Sequence, residues 1–580
     1  MSAQTGRPTL ADAPPSSRRI DRARIRVENL KNDPNPIWMR EMRQAARLGR
    51  TPIILAVITG LMALLICAVG GVASVKAEPA KVGVALFHTF FSLAFAVVTW
   101  IGPAVAASTI ASERSGRTWE ALSLTGLGPT TIAQGKFLAS LTYISLYIVM
   151  LVPVGALPFL FGGVSATEVL AAFALLFCFG VLSVAFGLSI SSQFSSSAVA
   201  IVVTLLVAIP LSLMVYLLGG VALSVAVHDL WPAIPKGAPV WLPTAYVRAE
   251  LGLEYLAFLV LAPLVVIGVP AWFLYEVTVA NMGGVSDDRS SGIRRWFLVS
   301  APAFCVAAVV PTFAVPSDRW AATAIALSLM FIFLTTMAFV FAGEPLGPSR
   351  RVLIHWERRG VGRLRRYLGP GITRAVSLLM ILGTLCLGLQ MAVGVILELT
   401  AGGPLAHQNA TRVVAFGGYL VGYCLFLAGL SAWTRARAAT TSVPRAILVA
   451  ALFLTSAGPW LAMAVAGVLT EGSDGAFVFA SPSPTYVFVM MKQIGSTSPD
   501  AELILAAGGA SAFGWGLLGL GLFGAAATRA RKVVRAHQKA QHELDALLAA
   551  EDEAAARGPE PAPEPAPAPQ PEPAPPLEGA

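Results

Sequence analysis

The chain has 580 residues, of which 56% are hydrophobic and 13% are charged, and its formal net charge is +9. Soluble globular proteins carry about 25% charged residues, so this composition, with a mean hydropathy of +0.71, excludes an ordinary soluble protein. Its apolar runs exceed the roughly 18 residues that a spanning helix needs, and they lack the alternation of a membrane β-barrel. The sequence therefore predicts an all-α, polytopic membrane helix bundle.

The chain begins with a polar segment followed by a basic helix. Residues 1–34 mix Ser, Pro and Arg without apolar periodicity, which predicts a disordered cytoplasmic N-terminus, and no signal-peptide core is expected there. Residues 35–50 read NPIWMREMRQAARLGR. On a helical wheel Trp38 lies on one side, and Arg40 and Arg43 lie on the other. Such a helix is expected to lie at the surface of the bilayer with its arginines toward lipid phosphates and water.

Twelve apolar runs follow, each long enough to cross a bilayer. They lie at about residues 52–75, 83–107, 137–162, 168–190, 198–224, 254–280, 296–316, 320–343, 375–399, 412–433, 446–470 and 501–526. Two of the outer connections are long, at about 225–253 and 471–500.

The Lys and Arg residues predict how these spans are oriented. With the N-terminus inside, 34 of the 41 Lys and Arg residues lie on the cytoplasmic side and 7 on the other. Because cytoplasmic loops are enriched in these residues, we expect a multi-pass protein of the cytoplasmic (inner) membrane with both termini in the cytoplasm. The lipid bilayer is thus one partner. The basic residues cluster at span ends, so no nucleic-acid partner is expected.

The loop after the second span, ERSGRTWEALSLTGLGPTTIAQGK at residues 113–136, is charged and then apolar. Its charged residues are Glu113, Arg114, Arg117 and Glu120, and its apolar residues include Trp119, Leu122 and Leu124. The pattern predicts a short amphipathic helix over residues 113–128 at the membrane surface, which Pro129 stops. A plain interfacial helix that only orients its neighbours is the alternative.

This loop resembles the cytoplasmic loop after the second span of ABC-2 (type-2) ABC transporter permeases, where the pattern E-R-x-x-G-T-x-E-x-L-L-x-T-P-L-S-P-x-E-I-x-x-G-K recurs. The residues that keep the pattern are Glu113, Arg114, Thr118, Glu120, Leu122, Thr125, Leu127, Pro129, Ile132, Gly135 and Lys136. Gly116 and Arg117 are shifted against it, and Gly126 and Thr131 replace its Pro and Glu. The resemblance implies a coupling helix that rests on a separate ATPase subunit. The residues it implies for that contact are Glu113, Arg114, Arg117, Thr118, Trp119 and Glu120.

The helix at residues 35–50 carries a second part of the same resemblance. Asn35-Pro36, Arg40-Glu41 and Arg43 look like the N-terminal connecting helix of the family, which often begins with N-P and carries an R-E or K-E pair. Both elements stand in the family's order on the same side of the membrane. The resemblance implies the permease subunit of an ATP-driven transporter, working as an exporter, with an ABC ATPase as partner.

The second half of the chain echoes the first. Leu127-Gly128-Pro129 precedes the third span as Leu368-Gly369-Pro370 precedes the ninth, and Pro243-Thr244 precedes the sixth as Pro484-Thr485 precedes the twelfth. Both pairs differ by 241 residues (370 − 129 and 484 − 243). Two interpretations stay open. In the first, two six-span halves, residues 35–282 and 283–527, are fused into an internal pseudo-dimer. In the second, the short Gly- and Pro-containing matches recur by chance, and two copies of the chain form a homodimer.

The rest of the chain predicts a tail. Residues 528–580 read as a charged helix that emerges into the cytoplasm and then a disordered, extended segment rich in Pro, Ala and Glu.

No catalytic or metal-binding motif is found. The sequence lacks the G-x-x-x-x-G-K-[ST] phosphate loop and H-E-x-x-H, and its six His residues are scattered. We therefore expect a non-enzymatic chain without cofactors, whose partner binds ATP. The spans are nearly free of ionisable groups, which an ion-coupled carrier needs. A non-transporting membrane scaffold, or an accessory subunit of a cell-envelope complex, is the alternative function, and the substrate class stays open.

Overall fold

The computed structural model describes residues 34–47, 50–75, 77–220, 227–228, 230–232, 234, 243–284, 287–314, 318–469 and 474–556. Every regular element in these residues is helical, which confirms the all-α prediction. The predicted N-terminal disordered segment, apart from its last residue, and the Pro-rich tail lie outside the described residues.

The first half of the chain contains ten α-helices within the described residues. They are α1 (Pro36–Arg47), α2 (Arg50–Ser74), α3 (Pro79–Ser115), α4 (Thr118–Leu124), α5 (Pro129–Gly155), α6 (Leu157–Phe161), α7 (Ala166–Ser191), α8 (Ser197–Met214), α9 (Pro243–Arg248) and α10 (Val269–Met282). π-Helical turns extend α8 and lead into α10, at Val215–Gly219, Tyr255–Leu261 and Leu264–Gly268.

The described part of the second half contains nine. They are α11 (Ser291–Ala314), α12 (Arg319–Phe341), α13 (Arg350–Arg358), α14 (Arg363–Tyr367), α15 (Ile372–Ala401), α16 (Ala406–Arg435), α17 (Ser442–Leu469), α18 (Val487–Gln493) and α19 (Ala501–Ala556). Two 3₁₀ turns, Asp474–Ala480 and Pro484–Tyr486, precede α18.

Twelve of the described helical runs are long and apolar enough to cross a membrane, and each overlaps one predicted span. This confirms the twelve-span bundle. Several helices extend past the apolar run because the polar residues that follow still favour helix; the second predicted span, 83–107, is part of α3, which ends at Ser115.

The predicted helix over residues 113–128 is wrong in its bounds. Glu113 and Arg114 belong to the last turn of α3, and the short helix α4 begins only at Thr118. Arg117 separates the two helices, because its left-handed φ of 56° breaks the helical path. Pro129 does not stop α4 either. It begins α5, since proline lacks only the N–H that a first helical turn leaves unbonded.

Each half has its own apolar core. In the first half, buried phenylalanines of α3 pack against α7 and α5; Phe91 and Phe173, for example, meet edge to face with ring centroids 5.0 Å apart. In the second half, α16 lies at the centre and contacts α12, α15, α17 and α19. Gly429 lets α16 approach α19 to backbone contact, because a Cβ there would overlap the carbonyl of Gly519.

The two halves repeat one packing arrangement. In both, the second membrane helix (α3 or α12) contacts the first, third and fourth, and the fourth (α7 or α16) also contacts the third, fifth and sixth. The halves meet where α10 and α11 pack together. There the rings of Phe273 and Trp296 lie 4.8 Å apart, and Trp296 Nε1 donates to the carbonyl of Val269 at 2.8 Å.

Part of the predicted outer loop 471–500 folds back into the bundle. Tyr419 Oη donates to the carbonyls of Ser481 and Ser483 at 2.7 and 2.8 Å, and Trp515 Nε1 donates to the carbonyl of Pro482 at 3.0 Å. Tyr419 and Trp515 lie near the middle of the membrane-length parts of α16 and α19, roughly 20 Å from the helix starts at 1.5 Å per residue. Irregular backbone is tolerated at this depth because protein groups satisfy its carbonyls.

Candidate functional site

The N-terminus of α1 is anchored by the Asn35-Pro36 pair. Asn35 Oδ1 accepts hydrogen bonds from the backbone N–H groups of Ile37 and Trp38, at 3.0 and 3.4 Å, so Asn35 caps the helix. Pro36 occupies the first helical position, where its missing N–H costs nothing. Asn35 Nδ2 also donates to the carbonyl of Thr131 at 2.8 Å, which ties the start of α1 to the first turn of α5.

Gly135 is what allows α1 to lie on α5. A Cβ at this position would lie 2.5 Å from Asn35 Oδ1 and 2.6 Å from Ile37 Cβ, both far inside van der Waals contact. The side chain of Ile37 is buried there, in a small apolar cluster with Leu122 of α4 and Ile132 of α5. In the Gly-Lys pair of the sequence pattern, Gly135 therefore leaves space for α1, and Lys136 binds to it.

Four charged side chains meet at this junction, and we call Arg40, Glu41, Glu113 and Lys136 the charge cluster. Lys136 is 1% exposed, and its Nζ lies 3.1 Å from Glu113 Oε1 and 3.3 Å from Glu41 Oε1. Arg40 Nη2 bonds to Glu113 and, at 2.8 Å, to Glu41. The cluster is neutral overall, with two positive and two negative groups. It joins α1, the end of α3 and the start of α5.

Electrostatics favour the charged forms in the α1 part of the cluster. Burial alone would raise the pKa of Glu41, but the positive charges of Lys136 and Arg40, with their hydrogen bonds, outweigh it and hold that pKa below its ordinary value. Burial likewise works against the charged form of Arg40, yet hydrogen bonds to Glu41 and Glu113 raise its pKa. Lys136 also donates to the carbonyl of Thr109 at 3.1 Å, which satisfies a further donor of the buried ammonium.

Arg114 points into the bundle on the other side of α3. Its guanidinium donates to the carbonyl of Ser192 at 2.7 Å and lies near that of Asn281 at 3.5 Å, so it bridges the ends of α7 and α10. The same guanidinium lies 5.3 Å from the ring centroid of Trp119, a cation–π contact that holds α4 against α3.

The remaining residues of the predicted coupling site lie at the surface. Arg117, Thr118 and Glu120 are exposed, Trp119 is half-buried, and Leu122 is buried. Leu124, at the end of α4, is 86% exposed. We call Arg117, Thr118, Glu120 and Leu124 the α4 surface.

The structure thus divides the predicted site residues into two groups. Glu113 and Arg114 hold α4 in place from inside, together with the connecting-helix residues Asn35, Pro36, Arg40 and Glu41. Arg43 is exposed on α1 and belongs to neither group. The predicted site did not include Lys136, which pairs with Glu41 and Glu113, although the Gly135-Lys136 pair was part of the sequence pattern.

The second half has a buried ion pair at the same membrane face. Arg294 at the start of α11 is 0% exposed, and its Nη2 lies 2.9 Å from Glu344 Oε2 and 2.9 Å from the carbonyl of Gly371. Ser290 Oγ donates to the same carboxylate oxygen at 2.6 Å. The amphipathic helix α13 follows, with Trp356 buried against the bundle. Its outer side is basic, in contrast to the mixed charge of the α4 surface.

Twelve membrane-length helices, with a short surface helix held against them by buried ion pairs, define a polytopic α-helical membrane protein with one elaborated face. Residues 77–244 match a family described as ABC-2 family transporter protein. The matched residues contain α3 to α8, and so also the surface helix α4. This match supports an ABC-2 type membrane permease, a membrane subunit of an ABC transporter, as the resemblance predicted. Helices α1, α2 and α10 to α19 lie outside the match. A comparison with curated proteins found no match.

Proposed function

We propose that this chain is the permease of an ATP-driven exporter and that a separate ABC ATPase subunit docks on the α4 surface. The observation that carries the proposal is the contrast within one short segment. Arg117, Thr118 and Glu120 face outward, whereas Glu113 and Arg114, a few residues earlier, are locked into the bundle. Such a segment is suited to receive force from a partner and to pass it to the membrane helices.

The route for that force is a set of direct contacts. Glu113 connects the end of α3 to α5 and α1 through Lys136 and Arg40, and Arg114 connects it to the ends of α7 and α10. A displacement of α4 would thus reach five helices at once. ATP would be bound and hydrolysed by the partner, since this chain carries no phosphate loop.

An external energy source fits the distribution of intramembrane charge. The buried acidic and basic residues of the described helices, which are Lys136, Glu168, Arg294 and Glu398, lie within about two turns of a helix end, and the buried Glu344 lies just beyond the end of α12. Ion-coupled carriers place such groups along the pathway instead. The absence of buried charge at mid-span, within the part of the chain that the structure describes, favours ATP-driven transport.

Orientation and assembly belong to the same proposal. The excess of Lys and Arg around α1, α4, α13 and the part of α19 just after its apolar stretch supports a cytoplasmic position for this face, and so for both termini, in the cytoplasmic membrane. The repeated helix packing supports two fused halves that build one pathway as an internal pseudo-dimer. Pro243 and Pro484, the paired residues of the sequence echo, each begin a short helical turn before the last span of their half.

Co-purification tests the docking site. The tagged protein, purified from its native membranes, should retain an ATPase subunit that carries a phosphate-loop motif and hydrolyses ATP. The triple variant Arg117→Ala, Glu120→Ala, Leu124→Ala should lose that subunit at least tenfold without a change in melting temperature, because these side chains are exposed.

Helix α14 offers the matched control. Arg363→Ala, Leu364→Ala, Arg365→Ala removes an equally exposed charged and apolar set from the other half. Retention of the ATPase in this control and its loss in the α4 variant would support docking on the first half. Full retention in the α4 variant would refute the docking site, and recovery of envelope proteins without any ATPase would favour the scaffold function instead.

A further inference from the structure

A concave pocket of about 250 Å³ lies between the loop before α13, the start of α15 and the part of α19 that follows its apolar stretch. Its lining includes Pro348, Gly371, Arg374, Arg531, Val534 and Arg535. Neither the ABC-2 match nor the α4 surface accounts for this pocket, which is formed by the second half.

Two of the pocket's arginines lie together on α19. Arg531 and Arg535 stand four residues apart on α19 and therefore share one face, where like charges repel. Among the described residues, neither has a carboxylate within ion-pair distance, whereas Arg350 and Arg351 on the neighbouring α13 pair with Asp545 and Asp287 at 2.7 and 3.0 Å.

The third arginine is held in place by its surroundings. Arg374 Nη1 donates to the carbonyl of Arg366 at 2.7 Å, and its guanidinium lies 5.9 Å from the ring centroid of Trp356. The guanidinium of Arg374 is planar, and its remaining N–H groups can bind a phosphate or a carboxylate through two parallel hydrogen bonds. The pocket is therefore a positively charged site with one arginine fixed in place.

The apolar lining indicates where a ligand would come from. Val534 of α19 packs closely on the loop, since a Cβ at Gly347 would lie 2.8 Å from its Cγ2. The pocket lies where the apolar run of α19 gives way to charged residues and that of α15 begins, which is the level of lipid headgroups. Basic pockets between membrane helices at this level are typical sites for anionic headgroups.

We infer that this pocket binds the phosphate of an anionic phospholipid, with Arg374, Arg531 and Arg535 as its ligands and the apolar lining against the glycerol and upper acyl region. A groove along α1, lined by Arg40, Arg43 and Arg47, is also basic, but one helix alone forms it. The α15–α19 pocket is built by three elements and so has a fixed shape. A lipid bound there would hold the part of α19 that follows its apolar stretch against the rest of the second half, independently of any ATPase.

Lipid binding to the purified protein in zwitterionic detergent tests the site. Native mass spectrometry with added phosphatidylglycerol should show one tightly bound lipid, and phosphatidylcholine of the same acyl chains should bind at least tenfold more weakly. Arg531→Gln with Arg535→Gln should weaken phosphatidylglycerol about thirtyfold, because each basic residue near an anionic headgroup contributes a factor of about five. Inorganic phosphate alone should not bind at millimolar concentration.

The matched control is Arg363→Gln with Arg365→Gln on α14, which removes the same charge from exposed positions that do not line the pocket. It should leave phosphatidylglycerol binding within twofold of the native chain. Equal weakening by both double variants would mean that only the general surface charge attracts lipid, and it would overturn the site. Tight binding of inorganic phosphate in place of the lipid would refute the phospholipid as the ligand.

Discussion

Lys136 is the residue on which the candidate site depends most. Its ammonium is buried and has two carboxylates and a carbonyl as partners. Removing one partner of a buried ion pair leaves the others desolvated and unpaired, which typically costs 3–5 kcal/mol. We expect Lys136→Met to destabilise the protein by about 3 kcal/mol and to lower its melting temperature in detergent by several degrees.

The exposed pair of Lys81 and Glu78 provides the control, with nitrogen and oxygen 3.4 Å apart and both side chains about three-quarters exposed. Because solvent-exposed pairs contribute about 0–1 kcal/mol, Lys81→Met should leave the melting temperature unchanged within error. If both variants melted like the native chain, the charge cluster would not stabilise the junction of α1, α3 and α5.

Glu41 makes the cluster sensitive to acid. Its pKa in the folded protein lies below the ordinary value of 4.5, so its charged form stabilises the fold fully above that pH. That stabilisation is lost as the pH falls through the lower folded pKa. We expect the melting temperature to drop below about pH 4, and Glu41→Gln, which cannot be protonated, to show a smaller drop over the same range. An unchanged pH profile in Glu41→Gln would contradict this assignment.

Among the elements, α1 depends on Gly135 for its place on α5. In a helix interior alanine is favoured over glycine by about 1 kcal/mol, so Gly135→Ala should stabilise α5 taken alone. The added Cβ would instead collide with Asn35 and Ile37, and α1 should detach. Trypsin should then cleave at Arg43 or Arg47 several times faster than in the native chain, as followed by mass spectrometry of the fragments.

Gly128, seven residues earlier, is the matched position. A Cβ there meets only Thr130 Oγ1, at 3.8 Å, which is ordinary contact. Gly128→Ala should therefore leave the rate of cleavage in α1 unchanged. Equal cleavage rates in both variants would show that the close approach at Gly135 does not hold α1.

The sequence predicted the elements that depend on local composition, and it did not predict those that depend on tertiary contacts. Apolar runs predicted all twelve membrane helices, because burial in lipid requires apolar residues over the whole length. The break at Arg117 was not predictable, since a left-handed conformation is favoured by Gly or Asn, and here Gly116 is not the residue that adopts it. The pairing of Glu113 with Lys136 was hidden as well, because it depends on how α3 and α5 cross.

The segment 474–493 was missed for a related reason. Its Ser, Pro and Thr residues read as a loop in water, yet Tyr419 and Trp515 supply the donors that let its backbone lie within the bundle. Those donors are distant in sequence. Only the tertiary packing of α16 and α19 brings them to the segment.

At the scale of the whole molecule, the two halves share a packing arrangement but differ at the membrane face where their ion pairs lie. The first half presents mixed charge and an exposed Leu124 there, and the second presents a basic surface on α13 and α14. This difference is consistent with the two proposed neighbours, an ATPase subunit on the first half and anionic lipid on the second. An internal fusion permits such a division, whereas two identical subunits would carry both surfaces twice.

The orientation of the whole chain can be measured through single cysteines. Leu124→Cys on α4 and Arg365→Cys on α14 lie six spans apart and so on one side, whereas Leu251→Cys, in the connection before the sixth span, lies on the other; all three positions are exposed. The native cysteines lie in apolar spans, out of reach of a charged maleimide. The excess of Lys and Arg predicts labelling of the first two from the cytoplasmic side only and of the third from outside only. The unsubstituted chain should remain unlabelled on both sides. Labelling of Leu124→Cys from outside would place the α4 surface beyond the reach of any ATPase, and the proposed coupling would then be wrong.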